Sequence, residues 1–197
     1  MPRVSTEHLA ARREQILEAA RRCFLRNGFH QTSMQDVIRE AGLSVGAVYR
    51  YFPSKTDLIT EIAERVIDQI EAVFATVVAE EPPPTMLESL ERAVDLVAEN
   101  TGPDGTLRLA VQIWGEATTD PALASFVDKV YRRIRELLVA LAQRAIDRGE
   151  LPRGADAEAV GVVLFSLMPG YGLQRILTGG PEPRAFKAGL RTLFSQA

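Results

Sequence analysis

The chain has 197 residues, 46% hydrophobic and 25% charged, which excludes a disordered polymer and allows one sizeable core or two small ones sharing an interface. A single cysteine, Cys23, excludes an internal disulfide and fits a reducing compartment, and with only two histidines beside it there is no dedicated zinc ligand set. The net charge of −3 hides an asymmetry, with nine Lys/Arg against five Asp/Glu in residues 1–55 and fourteen against twenty-one in residues 56–197, so a basic end on an acidic body is directed at a polyanion.

In chain order, nearly every segment has helical period. The first expected helix covers Thr6 to Asn27, with Ile16, Ala20, Cys23 and Phe24 on one apolar face, Ser5 or Thr6 as cap and Gly28 as stop. A short helix follows from Ser33 to Ala41, where Thr32 with Gln35 three residues on fits a capping box. Gly42 breaks the chain, and Ser44 can cap a third short helix ending near Phe52. A long helix is expected from Lys55 to Ala79, with Ile59, Ile62, Val66, Ile70 and Phe74 recurring at threes and fours. The run Glu80-Glu81-Pro82-Pro83-Pro84 separates it from five further helices, Thr85–Asn100, Gly105–Thr118, Pro121–Arg148, Asp156–Thr178 and Pro183–Ser195. Asp120-Pro121 is a good helix start, and Gly149 and Gly179-Gly180 are good stops. No segment alternates as a strand should, so the fold class is all-α.

The start of the chain lacks the apolar stretch of a signal peptide. The longest uncharged stretch, Ala159–Gln174, falls short of the roughly 18 apolar residues of a membrane span and contains Pro and Gly, so it reads as a buried helix. A cytoplasmic protein without a membrane partner is expected.

Within Gly42–Gly46 the chain reads GLSVG, which fits the G-x-S-x-G nucleophile elbow. The elbow needs a strand before the serine and a histidine after it. Here a helix precedes Ser44, and His8 and His30 both come earlier in the chain. No phosphate loop, dinucleotide fingerprint or metalloprotease motif is present, so no catalytic residue, cofactor or metal is expected. Cys23, on an apolar face, reads as a small core residue.

Two short helices joined across Gly42-Leu43 instead form a helix-turn-helix pattern, whose second helix enters the major groove with its first residues at the base edges. Ser44, Val45, Gly46 and Ala47 are small enough to let that helix approach a duplex, and Tyr49, Arg50 and Tyr51 follow with phosphate-donating groups. Lys55 opens the next helix, where a cation and free N–H groups can hold a phosphate together.

These residues carry a resemblance. Gly28-Phe29, Thr32-Ser33, Ala41-Gly42, Ser44, Gly46, Tyr49, Tyr51-Phe52, Ser54-Lys55 and Leu58 match the DNA-binding pattern of TetR-family transcriptional regulators over roughly residues 8–60. One departure is Ile38, where the family usually has a small residue. The resemblance implies an N-terminal three-helix helix-turn-helix domain (1–54) joined to a C-terminal helical effector-binding and dimerisation domain (55–197). It implies phosphate contacts from Tyr49, Tyr51 and Lys55, helped by Ser33 and Ser44, and base reading by Gln35, Val45, Ala47 and Arg50. It also implies a cavity among the middle helices, with Trp114, Phe126, Tyr131, Phe165, Met168 and Tyr171 as candidate lining and Gln112 and Glu116 as polar contacts to a lipophilic effector. A single helix-turn-helix favours a two-fold homodimer on a pseudo-palindromic operator of double-stranded DNA. The last two helices are its expected surface, through Leu164, Leu167, Phe186, Leu190 and Phe194. The alternative is a helical ligand-binding or scaffold protein that never meets DNA.

Overall fold

The computed structural model describes residues 6–194. Among them are nine helices and no strand: α1 (Thr6–Asn27), α2 (Met34–Ala41), α3 (Val45–Tyr51), α4 (Lys55–Val78), α5 (Met86–Glu99), α6 (Thr106–Ala117), α7 (Pro121–Asp147), α8 (Ala157–Thr178) and α9 (Pro183–Phe194). Each expected helix is present with ends within a residue or two. Ser5, Ser195 and the side chain of Phe74 lie outside the described residues.

The chain divides into two compact units, one running through Val66 and including Leu109–Phe126, the other made of Ile67–Arg108 and the segment from Val127 onward. This differs from a division after residue 54: α4 is shared between the units, and most of α6 belongs with the helix-turn-helix.

The first unit is built on α1. Ile16, Cys23 and Phe24 are fully buried there, together with Val37 from α2, Val48 from α3 and Leu58 from α4. Burial pushes the Cys23 thiol above its ordinary range, as a core cysteine requires. Ile38, the larger residue at a usually small position, is 7% exposed and fits inside this core. Arg13 grips Glu61 bidentately, at 3.0 and 2.6 Å, and its guanidinium lies 4.7 Å from the centre of the Phe52 ring. Arg65 also pairs with Glu14, so α4 is braced along α1.

The second unit packs Leu90 and Val94 of α5, Leu138 and Leu141 of α7, Leu164 and Tyr171 of α8 and Leu190 of α9 into one cluster. Thr85 and Glu88 form a capping box at the start of α5. α8 continues as one helix through Pro169. Only one side of it is buried. Val162, Val163 and Leu177 are 44, 59 and 70% exposed, as is Leu193 of α9 at 72%. By length and composition α8 is the one helix among the described residues that could cross a membrane, but its other side is packed against α5 and α7.

That packing depends on a close approach. A Cβ at Gly161 would lie 3.0 Å from the Val139 backbone nitrogen and 2.5 Å from its Cγ2. Gly161→Ala should therefore force α7 and α8 apart and cost about 1–3 kcal/mol. Gly115→Ala, at an exposed α6 position with no neighbour within 4 Å, should gain up to about 1 kcal/mol from helix propensity. Thermal unfolding of the two variants checks the opposite signs.

Candidate nucleic-acid interface

The helix-turn-helix is assembled from local hydrogen bonds. The N-cap of α2 is Ser33, not Thr32: its Oγ accepts from the Asp36 amide, and the Asp36 carboxylate accepts from the Ser33 amide at 2.9 Å and hydroxyl at 2.6 Å. These bonds from Ser33 hold the Asp36 carboxyl below its ordinary range. Thr32 turns inward instead, 1% exposed, with its hydroxyl directed at the carbonyls of Gly28 and Cys23. Its polarity is absorbed by the end of α1, so it is not available to cap α2. Gly42 closes α2 at φ 64°, a left-handed conformation that glycine adopts without strain. Ser44 then caps α3 by accepting from the Ala47 amide.

α3 has two sides. Val48 is fully buried and Phe52, which follows the helix, is 1% exposed. Val45 is 50% and Tyr49 42% exposed, with Gly46 and Arg50 also at the surface and Ala47 and Tyr51 half-buried. Gln35 on α2 is exposed as well. The expected base-reading positions are thus accessible, and small residues occupy the part that must come nearest a duplex.

Two expected phosphate contacts are committed elsewhere. The Ser33 hydroxyl is used twice within its own cap. Lys55 donates from Nζ to the Phe29 carbonyl at 2.7 Å and the His30 carbonyl at 3.1 Å, with the ammonium 4.4 Å from the centre of the Phe29 ring. Burial lowers its pKa from the ordinary lysine value. The segment before α2 offers an aromatic face and two carbonyls, which satisfy an ammonium better than solvent-exposed backbone would. Lys55 therefore fastens the start of α4 to residues 28–30.

The same segment is held from α6. The Phe29 amide donates to Gln112 Oε1 at 2.7 Å, and His30 Nδ1 lies 3.2 Å from Glu116 Oε1. Gln112 and Glu116, expected as effector contacts, thus engage the helix-turn-helix in this structure. No short-range pattern signals such a bond between residues 83 apart in the chain.

The other expected pocket residues fall in both units. Trp114 and Phe126 are half-buried in the first. In the second, Tyr131 and Phe165 contact at a centroid distance of 4.7 Å, and Tyr171 packs on Phe186 at 4.4 Å. Met168 lies against the core cluster. Tyr171 is fully buried, with the Arg175 guanidinium 5.9 Å from the centre of its ring. Of the five expected dimer residues, Leu164 and Leu190 are 0 and 2% exposed, and Leu167, Phe186 and Phe194 are half-buried against the same cluster.

Residues 16–62 match the family model for bacterial regulatory proteins of the tetR family, and residues 86–195 match that for the C-terminal part of BetI-type transcriptional repressors. An HTH-type transcriptional regulator of Bacillus subtilis, YfiR, is 30% identical over 76% of this chain and 72% of its own. The HTH-type transcriptional repressor AcnR of Corynebacterium diphtheriae is 27% identical over 91% of this chain and 88% of its own. Among solved structures, Salmonella enterica GusR superposes with a TM-score of 0.81 at 26% identity, covering 99% of this chain and 98% of that one. A transcriptional regulator from Saccharomonospora viridis in complex with choline superposes with a TM-score of 0.75 at 25% identity, covering 94% of this chain and 96% of that one. By both family models and by the Bacillus subtilis relative, the chain belongs to the TetR family of DNA-binding transcriptional regulators.

Proposed function

We propose that this regulator is a cytoplasmic homodimeric repressor, released from a pseudo-palindromic operator when a lipophilic small molecule binds its C-terminal unit. The observation that carries the reading is the link between Gln112 and Phe29. It joins α6, whose first turn belongs to the second unit, to the segment that sets the position of α2 and α3. A ligand that shifts α6 would shift residues 28–30 with it. To weaken operator binding about a hundredfold, the ligand must favour the DNA-free form by roughly 2.7 kcal/mol.

An effector site in the second unit is supported by the half-buried Tyr131–Phe165 pair. The relative from S. viridis, crystallised with choline, supports a small organic effector.

The dimer is supported by the apolar side chains that α8 and α9 leave uncovered. Val162, Val163, Leu177 and Leu193 replace the buried leucines as its candidate contacts. Two reading helices would then sit one DNA turn apart, about 34–36 Å.

Binding to a duplex from the DNA flanking the protein's own gene, at two salt concentrations, tests the DNA half of the reading. The wild type should bind more weakly at high salt, and Tyr49→Ala should lose about 1 kcal/mol, or roughly fivefold, while melting as the wild type does. Wild-type affinity in Tyr49→Ala would remove α3 from the interface. Sedimentation tests the assembly: Val163→Glu/Leu193→Glu should be a folded monomer with much weakened operator binding, and a persisting dimer would place the interface elsewhere.

A further inference from the structure

The N-terminal unit carries most of its arginines as ion pairs. Arg13 faces Glu61 at 2.6 Å, Arg21 faces Glu18 at 3.0 Å, and Arg22 and Arg26 face Glu40 at 2.8 and 3.0 Å. Arg39 lies 3.6 Å from Asp36, and Arg65 pairs with Glu14. Among the described residues of this unit, only Arg12 and Arg50 have no carboxylate opposite. Arg12 donates to the neutral Gln15 Oε1 at 2.7 Å, and no ion pair or hydrogen bond engages the exposed Arg50 side chain among the described residues.

Both of these arginines line the same feature. A cleft of about 330 Å³ opens between the first turns of α1 and the exposed side of α3, bordered by His8, Arg12, Ser44, Arg50 and Tyr51. An anion held in a cleft lined by two guanidinium groups is attracted to both. The Ser44 oxygen accepts from an amide, which leaves its hydroxyl proton free to donate. The cleft borders Ala47, one of the candidate base-reading positions, so a duplex laid on α3 would bring its backbone past this opening.

We propose that α1 is part of the DNA interface, with Arg12 and Arg50 clasping one backbone phosphate across this cleft. Arg12 then contributes affinity without sequence information and fixes the approach of α3 to the groove. The inference rests on the DNA-binding reading and adds a residue that the helix-turn-helix pattern does not include.

The test is a salt series with the full-length protein on a mixed-sequence duplex and on a duplex flanking its own gene. Each phosphate neutralised contributes about −0.9 to the slope of log affinity against log salt. Arg12→Ala and Arg12→Gln should each make the slope shallower by about 0.9 and weaken both duplexes by the same factor, and Arg12→Lys should restore the slope. Melting curves of the variants should match the wild type, since the half-buried Arg12 makes only one side-chain hydrogen bond, to exposed Gln15. An unchanged slope in folded Arg12→Ala and Arg12→Gln overturns the clasp, and so does a loss confined to one duplex sequence. A wild type with no salt-dependent affinity for any duplex overturns the DNA-binding reading together with the clasp.

Discussion

The DNA-facing end depends on how residues 28–30 are held. A lysine from α4 donates to the carbonyls of Phe29 and His30 while lying over the Phe29 ring, and a glutamine from α6 accepts the Phe29 amide. Three elements meet at a turn that would otherwise leave polar backbone groups without partners. Hydrogen bonds to a charged donor are worth about 1.5–3 kcal/mol when shielded, and less where water reaches them, as it does at Lys55. Their larger consequence is geometric. α2 starts immediately after this turn, α3 follows across Gly42, and the exposed side of α3 points where these anchors allow.

Much of this end was legible in the sequence because its determinants are local. Gly42, the Ser44 cap and the alternation of buried Val48 and Phe52 with exposed Val45 and Tyr49 all lie within a dozen residues. The cap of α2 was displaced by one residue because Thr32 and Ser33 are equally good candidates, and only the fold turns Thr32 inward. Lys55 at a helix start suggests a phosphate ligand, and nothing nearby in sequence reveals the carbonyls it meets. The Gln112 contact joins segments too distant for any spacing rule.

The C-terminal unit was legible as helices but not as faces. α8 is apolar nearly all round, so periodicity could not say which side meets the core. Leu164 goes inward and Val163 outward, although both are large and aliphatic. The requirement that decides it is the approach at Gly161, which sets the rotation of α8 against α7. The uncovered side is then a consequence of packing within the unit, and it is continuous in character with exposed Leu193 on α9.

Hydrogen exchange of the full-length protein, with and without a duplex from the DNA flanking its own gene, tests the central claim that the outward side of α3 meets DNA from a base fixed by residues 28–30. The account predicts slower exchange on DNA in residues 44–52 and at the amide of Phe29, with residues 157–194 unchanged. Protection that leaves residues 44–52 unaffected and falls on another surface would contradict it.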